Sequence, residues 1–335
     1  MIRILTHSEI DRTKWAEFVQ EHPKGNVFQT PEMYDVYVQT KQIQPLILAA
    51  EENGTIVGIM LTQIITNGNA LVSWLTARAI TIGGPLVKDN REDILYALLK
   101  AYKASLPCKI IYSEIRPVYT MDDLWCSLRS NKWQRKGHYN ITLSLDKSVD
   151  DLFAQMHKER RRNVNQALKA GLVFREVVDR NEVQAIVKLI KQTYERKHVP
   201  ISYLDMFDEV YQLMRQYARF FACYTSDGQM IAGQVRLCYK DLVYSWFAGS
   251  DENYFKLRPN DFTMWNVIKW SAEKGYSLFD FGGGGEPGVE YGVRDYKLKY
   301  GCEMFDYGRY TYAHRPFIYA LAKLVYCTYH KIKGK

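Results

Sequence analysis

The chain has little that would place it among metalloproteins, redox enzymes or membrane-spanning proteins. Its six cysteines in 335 residues (Cys108, Cys126, Cys223, Cys238, Cys302, Cys327) are scattered, with no C-x-x-C pair and no metal-ligand spacing. The seven histidines form no cluster, no serine sits in G-x-S-x-G, and no Walker A loop is present. No apolar run approaches the length of a membrane-spanning helix, and the start, MIRILTHSEIDRTKW, lacks the apolar core of a signal peptide. A metal, a covalent nucleophile and a tightly bound cofactor therefore lack support. A reducing, cytoplasmic setting is expected, with buried free thiols at Cys223 and Cys238.

What is present describes a globular protein: 47% hydrophobic and 24% charged residues, in a chain long enough for two ordinary cores. Tyrosine is abundant, with 25 copies, and suits ligand grooves. The net charge of +8 favours an anionic partner such as a phosphate, a nucleic acid or a membrane surface.

The stretch GYSLFDFGGGGEPGVEYGVRDYKLKYGCEMFDYGRYTY, from Gly275 to Tyr312, organises the rest. A strand-like run to Phe281 meets a glycine-rich loop, where backbone lies open to close approach. Lys297 then arrives between aromatics, placed to meet developing negative charge. By position alone it is a surface lysine on a short helix. Gly283-x-Gly285-x-x-Gly288 is formally a dinucleotide fingerprint, but Pro287 interrupts it and no helix opens within it.

The residues Gly275, Phe279, Asp280, Phe281, Gly282, Gly283, Tyr296, Lys297, Tyr300 and Gly301 follow a pattern, G-x-x-x-[FY]-D-[FY]-G-G, a loop, then [FY]-K-x-x-[FY]-G. It resembles the C-terminal signature of the FemABX peptidyltransferases and their acetyltransferase-like relatives. The resemblance implies Lys297 against the tetrahedral intermediate of acyl transfer. Asp280 is a candidate general base, or else a cap for the glycine loop.

In chain order, a helix is expected from Ser8 to Glu21 with Ser8 as its N-cap, and a second after Thr30-Pro31. Asn53-Gly54 marks a hairpin, Leu71 to Leu75 a strand, and Gly137 to Leu145 another. About 174 residues later Asp227-Gly228 echoes Asn53-Gly54, and LVYSW at Leu242 echoes LVSW at Leu71. Elements repeated in one order at one offset point to a duplication. The fold expected is α/β (α+β): two tandem GNAT-like acyltransferase domains, each a mixed, mostly antiparallel sheet flanked by helices. The boundaries are drawn at 1–147, 148–315 for the domain with the active site, and 316–335 for an amphipathic basic helix.

One helix is expected from Val149 to Ala170. On a 100° wheel it places Leu152, Phe153, Met156, Val164, Ala167 and Leu168 on one side, and Lys158, Arg161, Arg162, Asn165 and Lys169 on the other. The basic face is either solvated or a phosphate site, for which arginine forks are suited. Further substrate-binding candidates are Tyr244, Trp246, Gly283, Glu286, Tyr291 and Lys299. Val27-Phe28-Gln29-Thr30 is similar to the family's F-[LV]-Q-[ST] motif and adds Gln29. Tyr37 stands where some cell-wall members carry a lysine on the substrate phosphate. No long heptad stretch follows Asp179, so a coiled-coil arm is not expected.

The implied function is transfer of an aminoacyl or acyl group to an amine or hydroxyl of a phosphate-bearing envelope precursor. The donor is aminoacyl-tRNA or acyl-CoA. The usual [RQ]-x-x-G-x-[GA] pyrophosphate loop is missing at Leu257 to Asp261 and at Gly83-Gly84-Pro85. Its rivals are an acyl-CoA-dependent N-acyltransferase of a sugar or amino acid, and a non-catalytic RNA- or membrane-binding module. In the C-terminal helix, Phe317, Ile318, Leu321, Leu324 and Val325 share a face, of which Phe317 and Leu321 are expected to pack on the second domain. The lysines after His330 suggest weak peripheral contact with the inner membrane surface.

Overall fold

A computed structural model describes residues 1–66, 76–199, 201 and 203–332. The strand expected at Leu71 to Leu75 lies outside them. The chain divides into two compact units, Met1–Gly137 with Tyr307–Lys335, and His138–Asp306.

The first unit contains β1 (Arg3–Thr6), α1 (Arg12–Glu21), α2 (Pro31–Gln39), β2 (Ile43–Glu52), β3 (Thr55–Ile65), β4 (Arg78–Ile82), β5 (Leu86–Val87), α3 (Glu92–Ser105), β6 (Tyr112–Arg116), α4 (Trp125–Ser130) and β7 (Gln134–Lys136). The second contains β8 (Tyr139–Ser144), α5 (Val149–Ala154), α6 (Lys158–Lys169), β9 (Val173–Val177), α7 (Arg180–Arg196), α8 (Met206–Leu213), β10 (Ala218–Tyr224), β11 (Met230–Tyr239), β12 (Leu242–Ser250), α9 (Pro259–Glu273), β13 (Leu278–Gly285), α10 (Gly292–Leu298) and β14 (Glu303–Asp306). The last elements, β15 (Arg309–Ala313) and α11 (Pro316–Ile332), return to the first unit.

The first sheet runs β1-β2-β3-β4-β6-β15-β7, with β5 beside β3, and the second runs β9-β10-β11-β12-β13-β8-β14. The orders match place for place. In each, one pair is parallel, β4 with β6 and β12 with β13, and the rest are antiparallel. Asn53-Gly54 and Asp227-Gly228 join equivalent strands, β2 to β3 and β10 to β11. Asn53, Gly54 and Gly228 take the positive φ these turns require, at 52°, 78° and 89°. The duplication is therefore visible in the topology.

The unit boundaries differ from those drawn by sequence, for a definite reason. The last strand of the first repeat, β8, occupies the sixth place of the second sheet, and the last strand of the second repeat, β15, occupies the sixth place of the first. Sheet membership thus moves the division from residue 147 back to Gly137 and sends Tyr307 onward to the first unit.

Three local expectations are corrected. α1 is capped by Asp11, whose carboxylate accepts from Thr13 N and Lys14 N, and Ser8 lies outside it. The helix expected at 149–170 is two, α5 and α6, broken at Gln155–His157. There His157 caps α6 through its ring nitrogen, and its N–H is drawn to Lys299 O at 2.8 Å, so the second helix starts afresh. Leu168, assigned to the apolar stripe, is exposed. The C-terminal face is also exposed: Phe317 is 92% accessible and Leu324 65%, with Leu321 and Val325 likewise in solvent.

β15 carries Tyr310, fully buried in the first core and hydrogen-bonded into both β6 and β7. Truncation after Asp306 is expected to abolish cooperative thermal unfolding of the first unit, followed by circular dichroism. Truncation after Arg315, which spares β15, should preserve it.

Candidate active site

β12 and β13 pair over three residues only, Leu242 with Leu278, Val243 with Phe279 and Tyr244 with Asp280, and then part. Past that point β12 is held on its other side by β11, in a register that skips Trp246 and leaves a bulge there. α7 closes against the same strand. Gly249 makes this possible, because a Cβ there would lie 2.4 Å from Ile190 N. Between these elements and the starts of α9 and α10 lies a cleft of about 660 Å³. Trp246 and Phe247 of β12, Phe281 of β13, Met264 of α9, and Tyr291 and Lys297 beside and within α10 are among its walls. Among the described residues lining it there is no carboxylate, while Arg196, Lys197 and Lys297 are cationic.

Lys297 is half-buried. Its ammonium donates to Phe281 O at 2.6 Å and Gly283 O at 2.7 Å. An ammonium has three N–H donors, so one is left for a ligand. Burial pushes its pKa down to about 8, opposed by the charge of Asp280. Gly283 thus contributes its carbonyl, as an anchor for the lysine.

Asp280 does not line the cleft. It is 1% exposed, accepts from Gly282 N at 2.6 Å and from Asn140 Nδ2 at 2.8 and 2.9 Å, and its pKa is pushed up to about 6 by burial. With its oxygens engaged in this way, the carboxylate acts as the cap of the glycine loop, in place of the general base considered from sequence. Gly282 follows at φ 72°, and a Cβ there would sit 3.3 Å from Tyr244 Oη. Tyr244 is thereby beside the loop and not among the cleft-lining residues.

Other candidates separate cleanly. Gln29 is 0% exposed, and its amide is consumed by Leu61 N, Leu61 O and Ile82 O, so it ties the first core together. Tyr37 is buried in the same unit and presents no surface to a substrate. Lys299 forms an ion pair with Glu159 at 2.6 Å. Glu286 does not line the cleft, and its carbonyl accepts from Arg294 Nη1.

The basic face predicted for α6 is real. Lys158, Arg161, Arg162, Asn165 and Lys169, with Phe153, line an open concavity of about 700 Å³. No acidic residue lines it, and none of the four cations has an ion-pair partner among the described residues.

Sequence reasoning missed a buried network behind this helix. Arg160 Nη1 meets Asp261 Oδ1 at 2.5 Å, and Asn163 Nδ2 meets Asp261 Oδ2 at 2.7 Å. Tyr300 Oη donates to Asp261 at 3.1 Å, and it contacts Tyr296 Oη, on the cleft wall, at 2.8 Å. Also missed were Gln234 and Arg236 of β11, although two polar residues at a spacing of two inside the apolar run MIAGQVRLCY was a usable signal.

Residues 154–298 match the model of the acetyltransferase (GNAT) domain family. The second unit is a GNAT-type acyltransferase domain. Several solved structures share the fold of the chain. FemX is similar with a TM-score of 0.74 at 16% identity, over 95% of this chain and 99% of that one. A tandem GNAT protein from the clavulanic acid biosynthesis pathway has a TM-score of 0.59 at 9% identity, over 93% and 98%. The C-terminal domain of a putative lysylphosphatidylglycerol synthetase from Agrobacterium fabrum has 0.59 at 13%, over 93% and 94%. No curated protein sequence matches. The GNAT domain thus sits in a chain with a tandem GNAT-like fold, and the family match makes the chain an acyltransferase.

The half-buried lysine makes a prediction about pH. A protonated Lys297 is present below about pH 8 and is lost as pH rises through that value. Turnover that depends on it should fall on that basic limb. Asp280→Asn removes the nearby charge that holds the pKa up, so the limb should move to lower pH by roughly one unit. A limb that stays in place would show that it reports another group.

Proposed function

We propose that the chain transfers an aminoacyl or other acyl group from an activated donor to an amine (or hydroxyl) of a phosphate-bearing cell-envelope precursor. The observation that carries this reading is Lys297. Two of its N–H groups are fixed on backbone carbonyls, and the third has no partner among the described residues, at the wall of a cleft whose described lining holds no carboxylate. The acceptor amine attacks the donor carbonyl carbon, forming the new C–N bond and a tetrahedral oxyanion. The C–O or C–S bond to the carrier then breaks, and the proton of the amine leaves with the carrier or the substrate's own phosphate. Lys297 stabilises the oxyanion, a role in which one donor contributes roughly 3–4 kcal/mol. Trp246 and Tyr291 are walls for the acyl group, and the Lys158–Lys169 face of α6 holds a phosphate of donor or acceptor.

The donor is aminoacyl-tRNA or acyl-CoA. The parting of β12 and β13 favours the second as an alternative, since an extended pantetheine arm needs such an opening. The similarity to FemX and to a lysylphosphatidylglycerol synthetase domain favours the first. Transfer should be assayed from charged tRNA and from acetyl-CoA, with nucleotide- and lipid-linked envelope precursors as acceptors. Lys297→Gln keeps a polar N–H group, one atom shorter, but loses the charge. It should lower kcat by roughly 10²–10³-fold while the protein stays folded, whereas a non-catalytic binding module would show no turnover to lose. In the same assay Arg161→Ala and Arg162→Ala should raise KM for the phosphate-bearing substrate, with the effect shrinking at high salt. An unchanged KM with a lowered Tm would make those arginines structural.

Peripheral membrane contact belongs to the same reading. α11 carries no acidic residue, exposes Phe317, Leu321, Leu324 and Val325, and includes Lys323. The sequence adds Lys331, Lys333 and Lys335. Apolar side chains flanked by cations complement an anionic lipid surface, at roughly 1 kcal/mol per lysine. Co-sedimentation with phosphatidylglycerol-containing vesicles should require the anionic lipid and weaken in Phe317→Ser/Leu324→Ser. Protein that stays in the supernatant at low salt would sink the idea. A dimer lost with the same substitutions would assign the face to a second copy.

A further inference from the structure

Gln234 and Arg236 stand two residues apart on β11, so their side chains leave the same face of the strand. Arg236 is 0% exposed, and no Asp or Glu pairs with it among the described residues. Its Nη1 donates to Val235 O at 3.0 Å and Phe247 O at 3.3 Å, and its Nη2 to Gln234 Oε1 and, at 3.7 Å, Met264 Sδ. Nε has no partner. Burial without a counterion draws the guanidinium pKa down to about 9. Replacing such a cation with an apolar residue would often stabilise a fold, so its presence here asks for a role.

A guanidinium offers donors and no acceptor. The Gln234 atom that faces Arg236 is therefore the carbonyl oxygen, and the amide nitrogen must point the other way. No amide flip satisfies the pair. Gln234 is buried in the protein and lines the cleft, and its Nε2 has no protein partner among the described residues. The cleft thus meets an N–H donor whose orientation is set from behind by a buried charge. Lys297 presents its remaining N–H to the same cleft, and among the described residues that line it no carboxylate competes for either donor.

We propose that Gln234 donates an N–H to the acyl carbonyl oxygen of the donor bound in this cleft, and that Arg236 is the positioning residue that holds the amide in that orientation. The hydrogen bond strengthens as charge gathers on the oxygen during attack, and no bond of Gln234 is made or broken. The proposal rests on the acyl-transfer reading of the cleft.

Gln234→Glu separates this role from a structural one. The new carboxylate pairs with Arg236 and supplies the missing counterion, while the N–H donor is gone. Gln234→Met is the neutral companion, free of any repulsion between a carboxylate and the oxyanion. With whichever of charged tRNA or acetyl-CoA supports transfer, both variants are expected to lose roughly 10²-fold in kcat with KM changed only a few-fold. Gln234→Glu should melt no lower than the parent. Parental kcat in both variants, with a donor whose transfer Lys297→Gln abolishes, overturns the proposal and leaves the acyl site standing. Loss in Gln234→Glu alone, accompanied by a lowered Tm, also overturns it, since the role would then be structural. If Lys297→Gln transfers at the parental rate, or no donor supports transfer, the reading of the cleft fails and this inference falls with it.

Discussion

The second unit depends on the short pairing of β12 with β13. Three residue pairs align the strands in parallel, and beyond Asp280, among the described residues, only β8 remains as a strand neighbour of β13. Backbone carbonyls left without a ladder partner in a buried place need another donor. Lys297 supplies it at Phe281 O and Gly283 O, so the same ammonium that seals the opened strand is held at the cleft wall. Asp280 closes the other end of the turn by accepting from Gly282 N and Asn140. The glycine run is what lets both side chains reach the backbone. Opening of the sheet, fixation of the lysine and shape of the loop are one arrangement.

Two cations, Lys297 and Arg236, are held near one another with no carboxylate among the described residues that line the cleft, only Asp280 behind Lys297, and burial weakens the proton affinity of each. Keeping both charged in a poorly solvated place costs free energy, which a bound or developing anion would offset. Such a site favours a transition state that gathers negative charge over a neutral ground state, the condition for rate enhancement. The basic concavity of α6 is different in kind. Its cations are in solvent, so they suit recognition of a phosphate and contribute to encounter more than to the chemical step.

The duplication was legible because its hairpin turns need particular residues, and Asn53-Gly54 and Asp227-Gly228 announce them. The strand exchange was not. β8 and β15 hold the same place in their repeats, and nothing in either strand's pattern says which sheet it will join. The helical wheel grouped the α6 cations correctly because a solvent face needs only local periodicity. It passed over Arg160, although that residue falls four after Met156 and four before Val164, on the buried side with Asp261 as its partner. Gln29 and Tyr37 were assigned to a substrate through a motif. The contacts that bury Gln29 reach Leu61 and Ile82, and separations of that size leave no trace in a linear pattern.

Among the described residues lining the cleft there is no carboxylate or imidazole, which narrows where the acceptor's proton goes. Tyr296 is on the wall, but burial drives its pKa up, so a phenolate base is disfavoured. Its hydroxyl contacts Tyr300, which donates onward to Asp261. Asp261 also accepts from Arg160 and Asn163, so its carboxylate is fully engaged. If Tyr296 donates along this line, its oxygen keeps a lone pair for the N–H of an incoming amine. The residue then orients the nucleophile without deprotonating it. On the proposed function, the proton is carried off by the departing oxygen or sulfur, or by the substrate's phosphate, after the C–N bond has formed. The protein's part is to bind, to orient and to stabilise charge.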